Sequence, residues 1–169
     1  MEDNKWERSY PPEFPYDYAG MNLEKALMMI EAAKQKAQEM GFSMTIAVCD
    51  AAGNIVSLQR MDDAPLMSVE IAINKARTSV FGKIPTHQWG AIFKGTEPVI
   101  PPLRFHSGWI AFPGGFPVVV NGKVIGGLGC SGATWEDCLA VRAGLIKLHA
   151  NTEELEEFLK SFGVPKEKW

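Results

Sequence analysis

Three stretches of this 169-residue chain carry residues whose types and spacing suit chemistry. The first, Gly127-Leu128-Gly129-Cys130-Ser131-Gly132, spells G-x-G-x-x-G between a predicted strand and a predicted helix. A dinucleotide fingerprint needs a following parallel strand that ends in an acid about twenty residues on, and here two helices follow instead. The glycines read as places of close approach, either to an adjacent helix or to a bound ligand. The free N–H groups from Ser131 to Thr134 serve plain helix capping or hold a carboxylate. Ser131 sits in Gly-Cys-Ser-Gly-Ala, without the G-x-S-x-G setting of a serine nucleophile.

The second stretch is Ser68 to Gly82, where Glu70, Asn74, Lys75, Arg77 and Thr78 interrupt an apolar helix. Lys75 and Thr78 share a face there, while Lys75 and Arg77 cannot. Lys75 stands between Ala72 and Ala76, so it either snorkels to water or lies partly buried in a setting suited to anion binding or acid/base work. The third stretch is Leu103-Arg104-Phe105-His106-Ser107-Gly108-Trp109, between a proline-rich loop and Pro113-Gly114-Gly115. His106 beside Arg104, Phe105 and Trp109 makes a pocket edge, and it ranks first of the three histidines. His87 and His149 are too scattered to complete a zinc site with it, although one histidine suffices for haem iron. Asp50, Asp62 and Asp63 flank a hairpin, where turn formation competes with a pocket role for Asp50 and Arg60.

These residues need elements to hold them. Residues 1–20 contain three prolines among aromatics and read as an extended N-terminal arm, and residues 21–169 read as a single domain. Asn22 caps an amphipathic helix that Gly41 closes. Met44–Asp50 and Ile55–Met61 form a hairpin across Ala51-Ala52-Gly53-Asn54. Ser68–Phe81 and Thr86–Phe93 are helices. Trp109–Phe112, Phe116–Val120 and Lys123–Gly129 read as strands, with Asn121-Gly122 as the hairpin turn between the last two. Thr134 opens a helix to about His149, and Asn151 caps another through Phe162. This order predicts an α+β layout with a mostly antiparallel sheet.

Bulk properties narrow the partners. The formal charge of −3 gives no general reason to seek nucleic acid or anionic membrane. No stretch is apolar for long enough to cross a bilayer, and the start has no signal-peptide core, so the expectation is a cytoplasmic protein. Cys49, Cys130 and Cys138 lack zinc or redox spacing and read as buried residues.

Several motifs in order resemble one known family. They are Ile46 to Asn54, Gln59 to Ala64, Ala72 to Thr78, Phe112 to Pro117, Gly122 to Ala133 and Asp137 to Gly144. Together they resemble the GlcG/HbpS family, known also as a haem-binding or haem-degrading domain and as the C-terminal domain of some PduO-type proteins. The resemblance implies a profilin-like three-layer α/β/α arrangement around a five-stranded antiparallel sheet, homo-oligomers and a pocket between subunits. It points to Asp50, Arg60, Lys75, Thr78, Gly114, Gly115, Ser131 and Gly132 as pocket residues, and it assigns no axial iron ligand.

Two functions follow. In the first the protein binds haem: Phe105, Trp109, Phe112 and Met61 form an apolar slot, Arg60 or Lys75 meets the propionates and His106 ligates iron. In the second it is an enzyme, a hydrolase, isomerase or lyase, acting on a small carboxylated metabolite. Arg60 or Arg104 then holds the carboxylate while Lys75, His106 or Asp50 moves protons.

Overall fold

In a computed structural model that describes residues 14–93 and 108–169, local sequence signals account for most element ends. Helix α1 spans Leu23–Glu39, with the Asn22 side chain accepting from Lys25 N–H, and Gly41 follows at φ 77°. Strands β1 (Thr45–Asp50) and β2 (Ile55–Arg60) make the first hairpin. Its turn is clasped by Asp50, whose Oδ1 accepts from the Ala52 and Asn54 backbone. Helices α2 (Ser68–Gly82) and α3 (Thr86–Phe93) come next. Strands β3 (Gly115–Val120) and β4 (Lys123–Ser131) form the second hairpin, and both of its turn residues, Asn121 and Gly122, have positive φ. That is the geometry an Asn-Gly turn favours.

The last helices start later than the sequence suggests. Helix α4 spans Glu136–Lys147, two residues beyond Thr134, because Asp137 reaches back to accept from Ala133 N–H. Helix α5 spans Glu153–Ser161, with Thr152 at its N-cap and Asn151 Oδ1 accepting from Glu153 N–H.

The sheet is antiparallel throughout, in the order β2-β1-β4-β3. Among the described residues it has four strands, not five. The expected strand over Trp109–Phe112 does not form. Its backbone groups are held by side-chain hydroxyls, with Ile110 N–H donating to Thr78 Oγ1 and the Phe112 carbonyl accepting from Thr86 Oγ1. A ladder partner is thereby replaced, and the segment crosses the α2 and α3 ends as a strap.

Helices cover both sheet faces. On one, α1, α4 and α5 bury Met29, Ile30, Leu145, Leu155 and Leu159 against Ile46, Val48, Val118 and Leu128. On the other, α2 lies very close because β4 presents glycine there. A Cβ at Gly127 would strike the Ala76 carbonyl, and one at Gly129 the Ala72 carbonyl. The first two glycines of G-x-G-x-x-G thus admit a helix.

Residues 14–18 run along the end of this second layer. Pro15 C=O accepts from Val124 N–H and Asp17 N–H donates to Val124 C=O, each at 2.9 Å. Phe14 and Tyr16 pack against Val80, Val119 and Val124. No helix among the described residues is long and apolar enough to cross a membrane.

Candidate functional site

Strand register places the site. Thr45 of β1 is paired with Arg60 of β2 on one side and Ser131 of β4 on the other. Directly opposed residues share a face. Thr45 faces α2, since its Oγ1 lies 2.7 Å from Ser68 Oγ, so Arg60 and Ser131 point to that layer too. Arg60 is exposed and has no carboxylate partner among the described residues, whereas Ser131 is buried. Gly132 follows, where a Cβ would strike the Ser43 carbonyl and Met44.

Lys75 reaches the same end of the sheet from α2. Its ammonium is fully buried and donates to Asp137 Oδ2 at 2.6 Å and to the Cys130 carbonyl at 2.8 Å. The Phe112 ring centre lies 5.1 Å from Nζ. Gly114 closes over the pair at φ 111°, a conformation that favours glycine, and a Cβ there would lie 2.6 Å from Nζ. Gly115 packs on the Lys75 carbonyl, and its N–H donates to Thr86 Oγ1. One turn along α2, Thr78 Oγ1 donates to the Gly108 carbonyl at 3.3 Å and accepts from Ile110 N–H at 3.1 Å. Trp109 packs edge-on to Trp89, with its indole N–H buried and without a hydrogen-bond partner among the described residues.

So Lys75, Thr78, Gly114, Gly115, Ser131 and Gly132 come together, with Trp109 and Phe112 beside them, while Arg60 stands at the same end of the sheet on edge strand β2, separated from β4 by β1. Asp50 does not join them. It lies at the other end of β1 from Thr45, roughly 17 Å away by strand rise. Its carboxylate is occupied by the turn, Oδ2 accepting from Asn54 Nδ2 as well. Met61 is also elsewhere: its sulfur accepts from Met44 N–H and it packs into the α1 side of the core. Arg104, Phe105 and His106 lie outside the described residues.

Over the motif-bearing part of the chain this architecture is a known one. A family model described as haem degrading protein HbpS-like matches residues 21–145. The chain belongs to the HbpS-like family. It is 38% identical over 119 residues to an uncharacterized 15.0 kDa protein from the dhaT-dhaS intergenic region of Citrobacter freundii, covering 70% of this chain and 84% of that one. Among solved structures it resembles a double mutant of HbpS from Streptomyces reticuli, with TM-score 0.68 and 31% identity over 76% of this chain and 86% of that one. It also resembles PduOC solved as a complex with haem, with TM-score 0.72 and 27% identity over 78% of this chain and 97% of that one.

Within this HbpS-like frame, two site features escape a reading by motif. Asp137 is the counter-ion of Lys75, 62 positions away in sequence, and no spacing rule links them. Burial pushes its carboxyl above the usual range, against the pull of the Lys75 ammonium and of Ala133 N–H. His87 projects from α3 onto the Phe158 ring, centroids 3.9 Å apart, with Phe116 at 5.6 Å. Its Nδ1 is buried without a partner among the described residues, and burial lowers the imidazole to about 4, so it is neutral at physiological pH. The proton-transfer roles expected of Lys75 and Asp50 gain no support, since one is locked in a buried ion pair and the other in a turn. The enzyme reading is likewise unsupported by the relatives. Among the described residues no group of three His, Cys, Asp or Glu is placed to hold a metal ion.

Proposed function

We propose that this protein binds haem at the sheet end marked by Arg60, Phe112 and the glycine-rich strap. The observation that carries the reading is the match to PduOC, whose structure with haem superposes over 97% of that chain. Haem asks for flat apolar surface, a cation for its propionates and an axial donor such as histidine for iron.

The described residues offer the first two at the same end of the sheet, on opposite edges of it. Phe112 is 48% exposed beside Trp109, and Arg60, on the same layer, is a guanidinium with no carboxylate partner among the described residues. Lys75 is a poorer propionate partner than its type suggests, because Asp137 already neutralises it. For the iron ligand the reading keeps His106, on the strength of its sequence setting beside Arg104, Phe105 and Trp109. Bound haem would supply redox or oxygen chemistry at its iron. The chain's own part is to exclude water from one haem face and to hold the carboxylates.

In the same reading the protein is cytoplasmic, profilin-like in its layering, and a homo-oligomer with the pocket near a subunit boundary. Supporting the last point, Leu66 and Met67 just before α2 are 79% and 70% exposed, apolar surface that a partner copy would cover.

Titrating the purified protein with haemin tests the proposal. The expected result is a saturable Soret shift. Arg60→Ala should weaken binding roughly five- to tenfold, and His106→Ala should change the band position. Absence of any saturable shift in the unmodified protein would remove haem binding.

A further inference from the structure

The geometry points to a second binding element that borders the proposed haem surface and shares Phe112 with it: a covered site at Lys75 for an uncharged carbonyl oxygen on a flat apolar or aromatic frame, with Phe112 as its displaceable cover. An ammonium has three N–H donors. At Lys75 two are committed, to Asp137 Oδ2 at 2.6 Å and the Cys130 carbonyl at 2.8 Å, and the Phe112 ring lies over Nζ with its centre 5.1 Å away. The ring is the weak member of that set. A cation over a half-exposed aromatic face gains less than the same cation donating a hydrogen bond to oxygen in a buried site.

The cover is built to move separately from the sheet. Gly108 and Gly114, at φ 92° and 111°, bracket the strap. Between them its backbone is held by two threonine hydroxyls, Thr78 and Thr86, and by no strand ladder. Turning Phe112 outward breaks none of the β3–β4 hydrogen bonds, and it leaves a space shaped like the ring directly over Nζ.

Charge selects the ligand. Lys75 and Asp137 are each 1% exposed and already balance one another. A carboxylate brought to the same ammonium would meet the Asp137 carboxylate at close range, where screening is poor and like charges repel strongly. A neutral acceptor adds a hydrogen bond and no charge. The class is therefore an amide, lactam or ketone oxygen on a planar frame whose ring takes the place of Phe112.

Nicotinamide and nicotinate carry an uncharged carbonyl and a carboxylate on the same ring, and serve as probes of the full-length chain. The readout is the amide NMR shifts of Gly114, Gly115 and Ala133. Nicotinamide is expected to give saturable shifts at these positions, with nicotinate at least about tenfold weaker. Phe112→Ala, at a half-exposed ring, should tighten nicotinamide roughly tenfold by removing the cover. The double substitution Lys75→Met with Asp137→Leu leaves no unpaired buried charge and should abolish the shifts. Equal binding of nicotinate, shifts indifferent to the double substitution, or no saturable shift even in Phe112→Ala overturns the inference.

Discussion

At the residue scale the buried Lys75–Asp137 pair dominates. Two charges held away from water are tolerated only while each has the other and further hydrogen bonds, which the Cys130 carbonyl and Ala133 N–H supply. Asp137→Ala should therefore lower stability by about 3–5 kcal/mol in urea unfolding, through the ammonium it strands. Replacing both, as Lys75→Met with Asp137→Leu, should recover most of that loss. His87 gives a second residue-scale outcome. Its imidazole titrates near 4 in the folded protein against an ordinary value of 6.5. The unfolded chain thus takes up the proton first as pH falls, and stability drops progressively from about pH 6.5 to about 4. The loss is roughly 2–3 kcal/mol, and His87→Phe should flatten that part of a stability–pH profile. Lys75 was legible as an odd lysine among alanines, but its partner was not, because the pairing depends on where α4 docks.

At the element scale the contact between α2 and β4 decides the layer spacing. Gly129→Ala would place a methyl group on the Ala72 carbonyl, backbone against backbone, and neither side can yield by rotating a side chain. A loss of about 3 kcal/mol is expected. Gly122→Ala is the contrast, since nothing lies within 4 Å of that position and only its φ of 70° resists. About 1–2 kcal/mol should suffice there, and chemical denaturation of the two variants side by side checks the order. Hairpins and helix ends were readable because turn and cap residues act locally, as Asn22, Gly41 and Asn121-Gly122 do. The segment Trp109–Phe112 was misleading for the opposite reason. Its apolar run suits a strand, but two threonine hydroxyls from other elements take the hydrogen bonds that a ladder would need.

For the whole molecule, the segment from Phe14 to Tyr18 ties the start of the chain to both the sheet and α2, with Tyr16 Oη donating to the Val80 carbonyl at 2.9 Å. A chain lacking residues 1–18 should lose those bonds and the cover over Val80 and Val124. The expected cost is about 2–3 kcal/mol, or roughly 5–10 °C in a calorimetric melt. An unchanged melting temperature would show that the segment contributes little. The sequence by itself determined the α+β class, the order of helices and hairpins, the glycine-rich character of β4 and the family, since each rests on local periodicity, turn chemistry or contiguous motifs. Only the tertiary structure decided that Gly127 and Gly129 of G-x-G-x-x-G receive a helix and that Asp50 and Lys75 lie toward opposite ends of the sheet. It also decided that Lys75 is neutralised by Asp137. Those outcomes depend on register and docking, which bring together residues far apart in the chain and so leave no periodic trace in it.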